Sequence, residues 1–145
     1  MEPLDFPHRL LTAATDAGAA APDASMFRRH LPILRRCVPD ADEPLLLARV
    51  DRPGDRGSYV LLLTAERLVV TAESRVLRRL RLHLNSACRD LIDVLWTPEP
   101  AMGGVAFSAT TAFDGVREHF WVRSDDADTT ANVLSGVFRR VLVPA

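Results

Sequence analysis

Four histidines and two cysteines are the side chains of this 145-residue chain best suited to acid–base, nucleophilic or metal chemistry. His8, His30, His83 and His119 are scattered, with neither the His-x-x-x-His nor the His-Glu-x-x-His spacing that sets zinc ligands on one helix face. Glu118 and His119 are adjacent, but on a strand successive side chains point to opposite faces, so the two cannot act as one dyad. Cys37 and Cys88 lie far apart and neither belongs to a Cys-x-x-Cys. A nucleophilic thiolate would need a neighbouring base that nothing in the sequence supplies, so both read as buried thiols. Gly103-Gly104 follows Pro100-Ala101-Met102 with no helix behind it, which makes a loop and no phosphate cradle. The expectation is no catalytic residue, no metal site and no cofactor.

Arginine is the residue type that does cluster. All eighteen basic residues are arginine, and glutamine is absent too, a pattern that coding bias in a GC-rich genome explains. Arg75, Arg78, Arg79 and Arg81, with Arg89 close by in sequence, form the candidate interaction surface. Alternation with Leu80, Leu82 and Leu84 sets Arg79, Arg81 and His83 on the outer face of a strand. Such a ridge keeps an edge strand soluble and unpaired, or meets an anionic partner such as an acidic protein or lipid headgroups. Nucleic acid is not expected: aromatics interleaved for base stacking are lacking, and the net charge is −1.

The elements that must position these residues fit one domain, long enough for one hydrophobic core. No apolar stretch approaches the roughly 20 residues that cross a bilayer. The opening Met-Glu-Pro-Leu-Asp-Phe-Pro-His-Arg carries acids and prolines where a signal peptide has a basic start and an apolar core. The protein therefore reads as cytoplasmic, with its cysteines reduced.

Residues 1–42 read as an Ala-rich and helical extension, with 13–24 a loose connector. Phe27, Leu31, Leu34 and Val38 recur at helical spacing over 25–38, and Pro32 predicts a kink or two short pieces. From Leu45 the period becomes two. Strands are predicted over 45–51, 59–63, 68–71, 80–84, 92–96, 105–113 and 116–123, with Val105, Phe107 and Phe113 on one face. Asn85 to Asp90 reads as a break. Asp114-Gly115 reads as a two-residue type I′ turn, and Trp96 and Trp121 as core or half-buried. A final helix carries the stripe Val133, Leu134, Val137, Phe138 and Val141, with Arg139 and Arg140 in its last turn.

The strongest single feature lies at 58–73, Ser-Tyr-Val-Leu-Leu-Leu-Thr-Ala-Glu-Arg-Leu-Val-Val-Thr-Ala-Glu, two apolar runs about a short polar break. Leu63-Thr64-Ala65-Glu66-Arg67-Leu68 resembles the Leu-Thr-x-x-Arg-Leu hairpin of bacterial pleckstrin-homology-like (PH-like) and GRAM-type domains. Glu43 before the first strand and the closing helix extend the resemblance over roughly residues 43–142. Within the hairpin Thr64 and Arg67 read as structural: the hydroxyl bonds the turn, the arginine stem lies over the strand, and a type I turn with a bulge is expected. The resemblance implies a mainly β fold, a seven-stranded antiparallel barrel or orthogonal sandwich closed by the C-terminal helix, over residues 43–145.

Eukaryotic PH-like domains often bind phosphoinositides through basic residues of the first two strands and the loop between them. Here Arg49, Arg52 and Arg56 occupy that region, a weak candidate anion-binding loop, because Asp51 and Asp55 interleave and the second strand has no basic residue. The leading expectation is a non-catalytic interaction or scaffold module in a bacterial cytoplasm, acting through protein contacts and self-associating as a homo-oligomer. The alternative is a domain for a small ligand or lipid headgroup, seated between barrel and helix among Phe107, Phe113, Phe120 and the tryptophans. An enzyme ranks last, and a cleft joining His83 or His119 to a carboxylate and a cysteine would be its mark.

Overall fold

A strand with one wet face alternates buried and exposed residues, yet every residue from Tyr59 to Thr64 is buried. Both faces of that strand must be covered. The computed structural model, which describes residues 5–39 and 41–142, shows what covers them.

The elements are α1 (Phe6–Asp16), α2 (Ala24–Cys37), β1 (Pro44–Asp51), β2 (Ser58–Thr64), β3 (Arg67–Glu73), β4 (Leu80–Ala87), β5 (Leu91–Glu99), β6 (Gly104–Thr111), β7 (Arg117–Arg123) and α3 (Ala127–Leu142). All pairings are antiparallel, in the order β4-β3-β2-β1-β7-β6-β5. The seven strands and the closing helix match the expected architecture, but the barrel does not close. No ladder joins β4 to β5 among the described residues, so the sheet has two free edges. Its halves meet through only two residue pairs, Val50 with Val122 and Asp51 with Trp121.

On one face Tyr59, Leu61 and Leu63 join Leu68, Val70, Leu46, Val50, Val105, Phe107 and Phe120 in the main core. The helix α3 closes this core with Leu134, Val137 and Phe138, the last stacked obliquely on Trp96 and Phe107. Val141 and Arg140 lie outside the residues whose side chains are described. On the other face Val60, Leu62, Val69 and Leu47 pack beneath α1 and α2 through Leu10, Ala14, Met26, Phe27, Leu34 and Val38.

The connector expected at 13–24 is thus shorter and not loose: α1 runs to Asp16, and the link 17–23 is packed against the sheet. Asp5 caps α1 by accepting from the His8 amide, and Pro7 sits in the first turn where no amide partner is lost. The alanines are small enough for a close approach. Ala17 and Ala19 enter the main core, the Ala20 amide donates to the Arg123 carbonyl, and the Arg49 amide donates to the Ala20 carbonyl. Pro32 does not split α2 either. It lies on the exposed side, where the carbonyl it leaves without a helical partner is open to water.

Bulges overturn two strand readings. In β4 Leu84 faces Val70 while Leu82 faces Thr71, leaving His83 as the extra residue. Leu82 is thereby turned out, 43% exposed, and His83 turned in. The strand also runs on through the expected break to Ala87. In β5 the irregularity between Ile92 and Leu95, with Asp93 at φ 51, turns Ile92 out and keeps Val94 in.

The β6–β7 turn is not type I′. Gly115 alone has positive φ, its amide donates to the Thr111 carbonyl, and the loop between the strands, 112–116, holds five residues. Phe113 stands at its apex, 98% exposed, and so belongs to no pocket under α3.

Candidate interaction surfaces at the two ends of the sheet

The arginines fall into two groups at opposite ends of β4. At one end the β1–β2 loop and the β3–β4 loop lie together. Their residues Asp55, Arg56, Tyr59, Arg75 and Arg81 line a shallow pocket of about 320 Å³. The β3–β4 loop closes on itself, the Ser74 amide donating to the Arg79 carbonyl and the Arg79 amide to Ser74 Oγ. Arg78 takes a positive φ of 48° there. Arg75, Arg78, Arg79 and Arg81 are all exposed, as is Arg56 across the gap. Between them stand Val76 and Leu77, 89% and 66% exposed.

The neighbouring acids are already engaged. Glu73 receives the Arg29 guanidinium through Nε at 2.5 Å and Nη2 at 2.9 Å. Asp55 accepts from the Tyr59 hydroxyl and from the Gly57 amide, and these bonds hold its carboxyl below the usual range. Burial, with the Asp55 bond added, pushes the Tyr59 phenol up. Among the described residues no acid pairs with Arg56, Arg75, Arg78, Arg79 or Arg81 within salt-bridge distance.

Arg49 and Arg52 do not line this pocket, although Arg52 Nη1 lies 3.6 Å from Asp55 Oδ2. Arg49 is half-buried on β1, and Arg52 lies over the Tyr59 ring at 5.6 Å with Nη2 3.9 Å from Glu118. Arg89 sits in the short helical turn Cys88–Asp90 at the other end of β4. There a cleft of about 710 Å³ runs between β4 and the β6–β7 turn, with Arg67, His83, Arg89 and Phe113 among its walls. Thr64 Oγ1 accepts from the Arg67 amide at 2.9 Å and donates to Asp42 at 2.6 Å, while Arg67 Nη1 donates to Asn85 Oδ1.

Sequence reasoning missed one constellation. His83 Nε2 lies 2.8 Å from Glu118 Oε1, with side chains 11% and 9% exposed. The imidazole stands edge-on to Tyr59 and Phe120. Strands β4 and β7 are not neighbours, so this pair spans the interior of the curled sheet. Only the bulge makes it, and nothing in the alternation of 79–84 signals a bulge. His119 is exposed on the opposite face from Glu118.

Cys88 is buried, which pushes its thiol up to about 12, and half-buried Cys37 is also raised by burial. Neither is a ready thiolate at neutral pH. Among the described residues no group of three or more His, Cys, Asp or Glu side chains could hold a metal ion.

Seven antiparallel strands in this order, capped by one C-terminal helix, decide the fold. It is PH-like. No family model matches the chain, and no curated protein matches it. Among solved structures it is similar to a pleckstrin homology domain of Shewanella amazonensis, at 13% identity and TM-score 0.48, covering 83% of this chain and 98% of that one. It is similar at 14% identity and TM-score 0.48 to the C-terminal domain of an unknown protein from Leishmania infantum, covering 79% and 96%. In this PH-like frame the basic tip and the cleft lie at opposite ends of β4.

Proposed function

We propose that this chain is a non-catalytic interaction module whose β1–β2 and β3–β4 tip docks on an anionic lipid surface. The observation that carries the reading is the apex itself: Val76 and Leu77 stand free in solvent between Arg75 and the Arg78–Arg79 pair, with Arg56 and Arg81 beside them. Apolar side chains framed by unpaired guanidinium groups suit an interface where headgroup phosphates lie above hydrocarbon. An acidic protein would satisfy the arginines and leave the valine and leucine unexplained.

Each arginine near an anionic bilayer contributes about 1 kcal/mol, and a fully buried Val or Leu about 1.5–3 kcal/mol. Neither set alone overcomes the cost of association, and together they give useful affinity. Such a module would work at the cytoplasmic face of a membrane; among the described residues no helix is long and apolar enough to cross one.

Sedimentation with phosphatidylcholine vesicles, with and without phosphatidylserine, tests the reading. The full chain should pellet only with the anionic vesicles, and Arg78→Ala with Arg79→Ala and Arg81→Ala should abolish it. Equal recovery with both vesicle types, or in neither, rejects the lipid surface.

A second reading, protein contact by self-association, draws on the free β5 edge, where Ile92 and Leu95 are 45% and 62% exposed. Light scattering coupled to gel filtration decides it: a strict monomer at high concentration removes it.

A further inference from the structure

The cleft beyond β4 plays no part in the lipid reading, and its walls have unmet capacity of three kinds. The first is backbone. As the end strand of the sheet, β4 turns half of its amides and carbonyls away from β3, and Leu84, Asn85, Ser86 and Ala87 line the cleft. An unpaired edge of this sort accepts an added strand. The bulge at His83 ends the regular run, so the available stretch is short and its register is set.

The second is apolar. Phe113 projects from the facing wall at 98% exposure, and a large aromatic standing clear of its own core is the kind of side chain that anchors a partner.

The third is polar. Arg67 donates to a neutral amide oxygen and Arg89 is exposed, and neither meets a carboxylate within salt-bridge distance among the described residues. Asp114, on the same wall as Phe113, is already occupied with its own turn, accepting from Thr111 Oγ1 and the Val116 amide. At the inner end His83 presents Nε2 to Glu118, while its buried Nδ1 has no protein partner.

We propose that this cleft receives an extended peptide segment that pairs with the outer edge of β4. An acidic side chain of the segment meets Arg67 and Arg89, and an apolar one packs on Phe113. The open cleft, about 710 Å³, has the volume of a small-ligand site, room enough for a short extended segment. The site is separate from the basic tip, so the module would carry a lipid-facing end and a peptide-facing end.

The test is a titration of the full-length, isotope-labelled protein with acetyl-Val-Glu-Phe-Glu-Val-amide, read by amide NMR, alongside a display library of extended heptapeptides. Shifts confined to residues 84–90 and 111–114, with slowed exchange of outer β4 amides, are expected. Arg89→Glu and Phe113→Ala should each weaken binding about tenfold, with undisturbed spectra and undiminished vesicle binding. The same peptide N-methylated at alternate amides should not bind, because it cannot pair with the edge. Binding by the N-methylated form at equal strength overturns strand addition. No shifts at about 1 mM peptide together with no sequence recovered from the library overturns the site.

Discussion

His30 shows how a polar side chain becomes part of a core. It lies fully buried on the inner face of α2, its Nδ1 2.7 Å from Thr71 Oγ1 on β3. Burial pushes the imidazole below its ordinary value, with Glu73 opposing the shift and Arg29 adding to it. The unfolded chain binds a proton near pH 6.5, and the folded one resists it. Stability from this residue is therefore complete above about pH 6.5 and declines as pH falls below it, since the unfolded state then holds more protons. Denaturant titrations at pH 7.5 and pH 5 should show this decline in the wild type and a shallower one in His30→Leu. Equal slopes would assign the pH dependence to other groups.

The His83–Glu118 pair makes a different prediction. Removing one partner strands the other inside, so Glu118→Ala should cost about 3 kcal/mol, the scale found for broken buried pairs. His83→Phe with Glu118→Leu should recover much of that loss, because Tyr59 and Phe120 already surround the site with rings. Additive losses in the double variant would show that the pair is not coupled. None of this was legible in the sequence. Alternation of Arg79, Arg81 and His83 with leucines is a correct strand signal, but one extra residue reverses the face of everything beyond it.

Among the elements, β2 is the most legible in the sequence and α1 the least, for one shared reason. The run Tyr59–Thr64 has no polar phase, which is what a strand covered on both sides looks like. The second cover had to come from the N-terminal residues, whose alanines carry little hydrophobic periodicity and resemble a linker. Alanine is both the best helix former and the side chain that allows the closest packing, so its pattern is quiet where its structural effect is large. The helix α2 is signalled by Phe27, Leu31, Leu34 and Val38, and only its continuity through Pro32 runs against the sequence pattern.

It follows that Leu34→Ala, at a fully buried position on the inner face of α2, should destabilise by about 2–5 kcal/mol, as a deletion in a true core does. A cost under about 1 kcal/mol in a denaturant melt would mean that α2 is only loosely applied. Gly104 offers a second check from the β side: a Cβ there would come within 2.6 Å of the Trp121 ring and of the Val122 carbonyl. Gly104→Ala must therefore displace a backbone contact at the β6–β7 ladder. A lowered melting temperature with altered Trp121 fluorescence is expected.

Taken whole, the molecule is nearly neutral yet polarised. Five of its eighteen arginines, Arg56, Arg75, Arg78, Arg79 and Arg81, stand at the tip beside Asp55 and Glu73, a local charge of +3, so the remaining thirteen face seventeen acids with a net of −4. The sequence placed four of these five in one cluster, but Arg56 comes from another loop, and only the curl of the sheet brings it alongside. It also sets Arg89 beside that cluster, because eight residues of β4 look short in sequence and carry Arg89 to the far end in space. A dipole of this sense orients the tip toward an anionic surface from beyond contact range, and salt shortens that range to about 8 Å near physiological ionic strength. Val76 and Leu77 act only on contact and are insensitive to screening. The two contributions should separate in one experiment. As sodium chloride rises, wild-type binding to phosphatidylserine vesicles should weaken toward a residual plateau. Leu77→Ser with Val76→Ser should bind at low salt and fall to nothing. Parallel salt curves for the two proteins would mean that the apex never enters the bilayer, and the tip would then be an electrostatic contact alone.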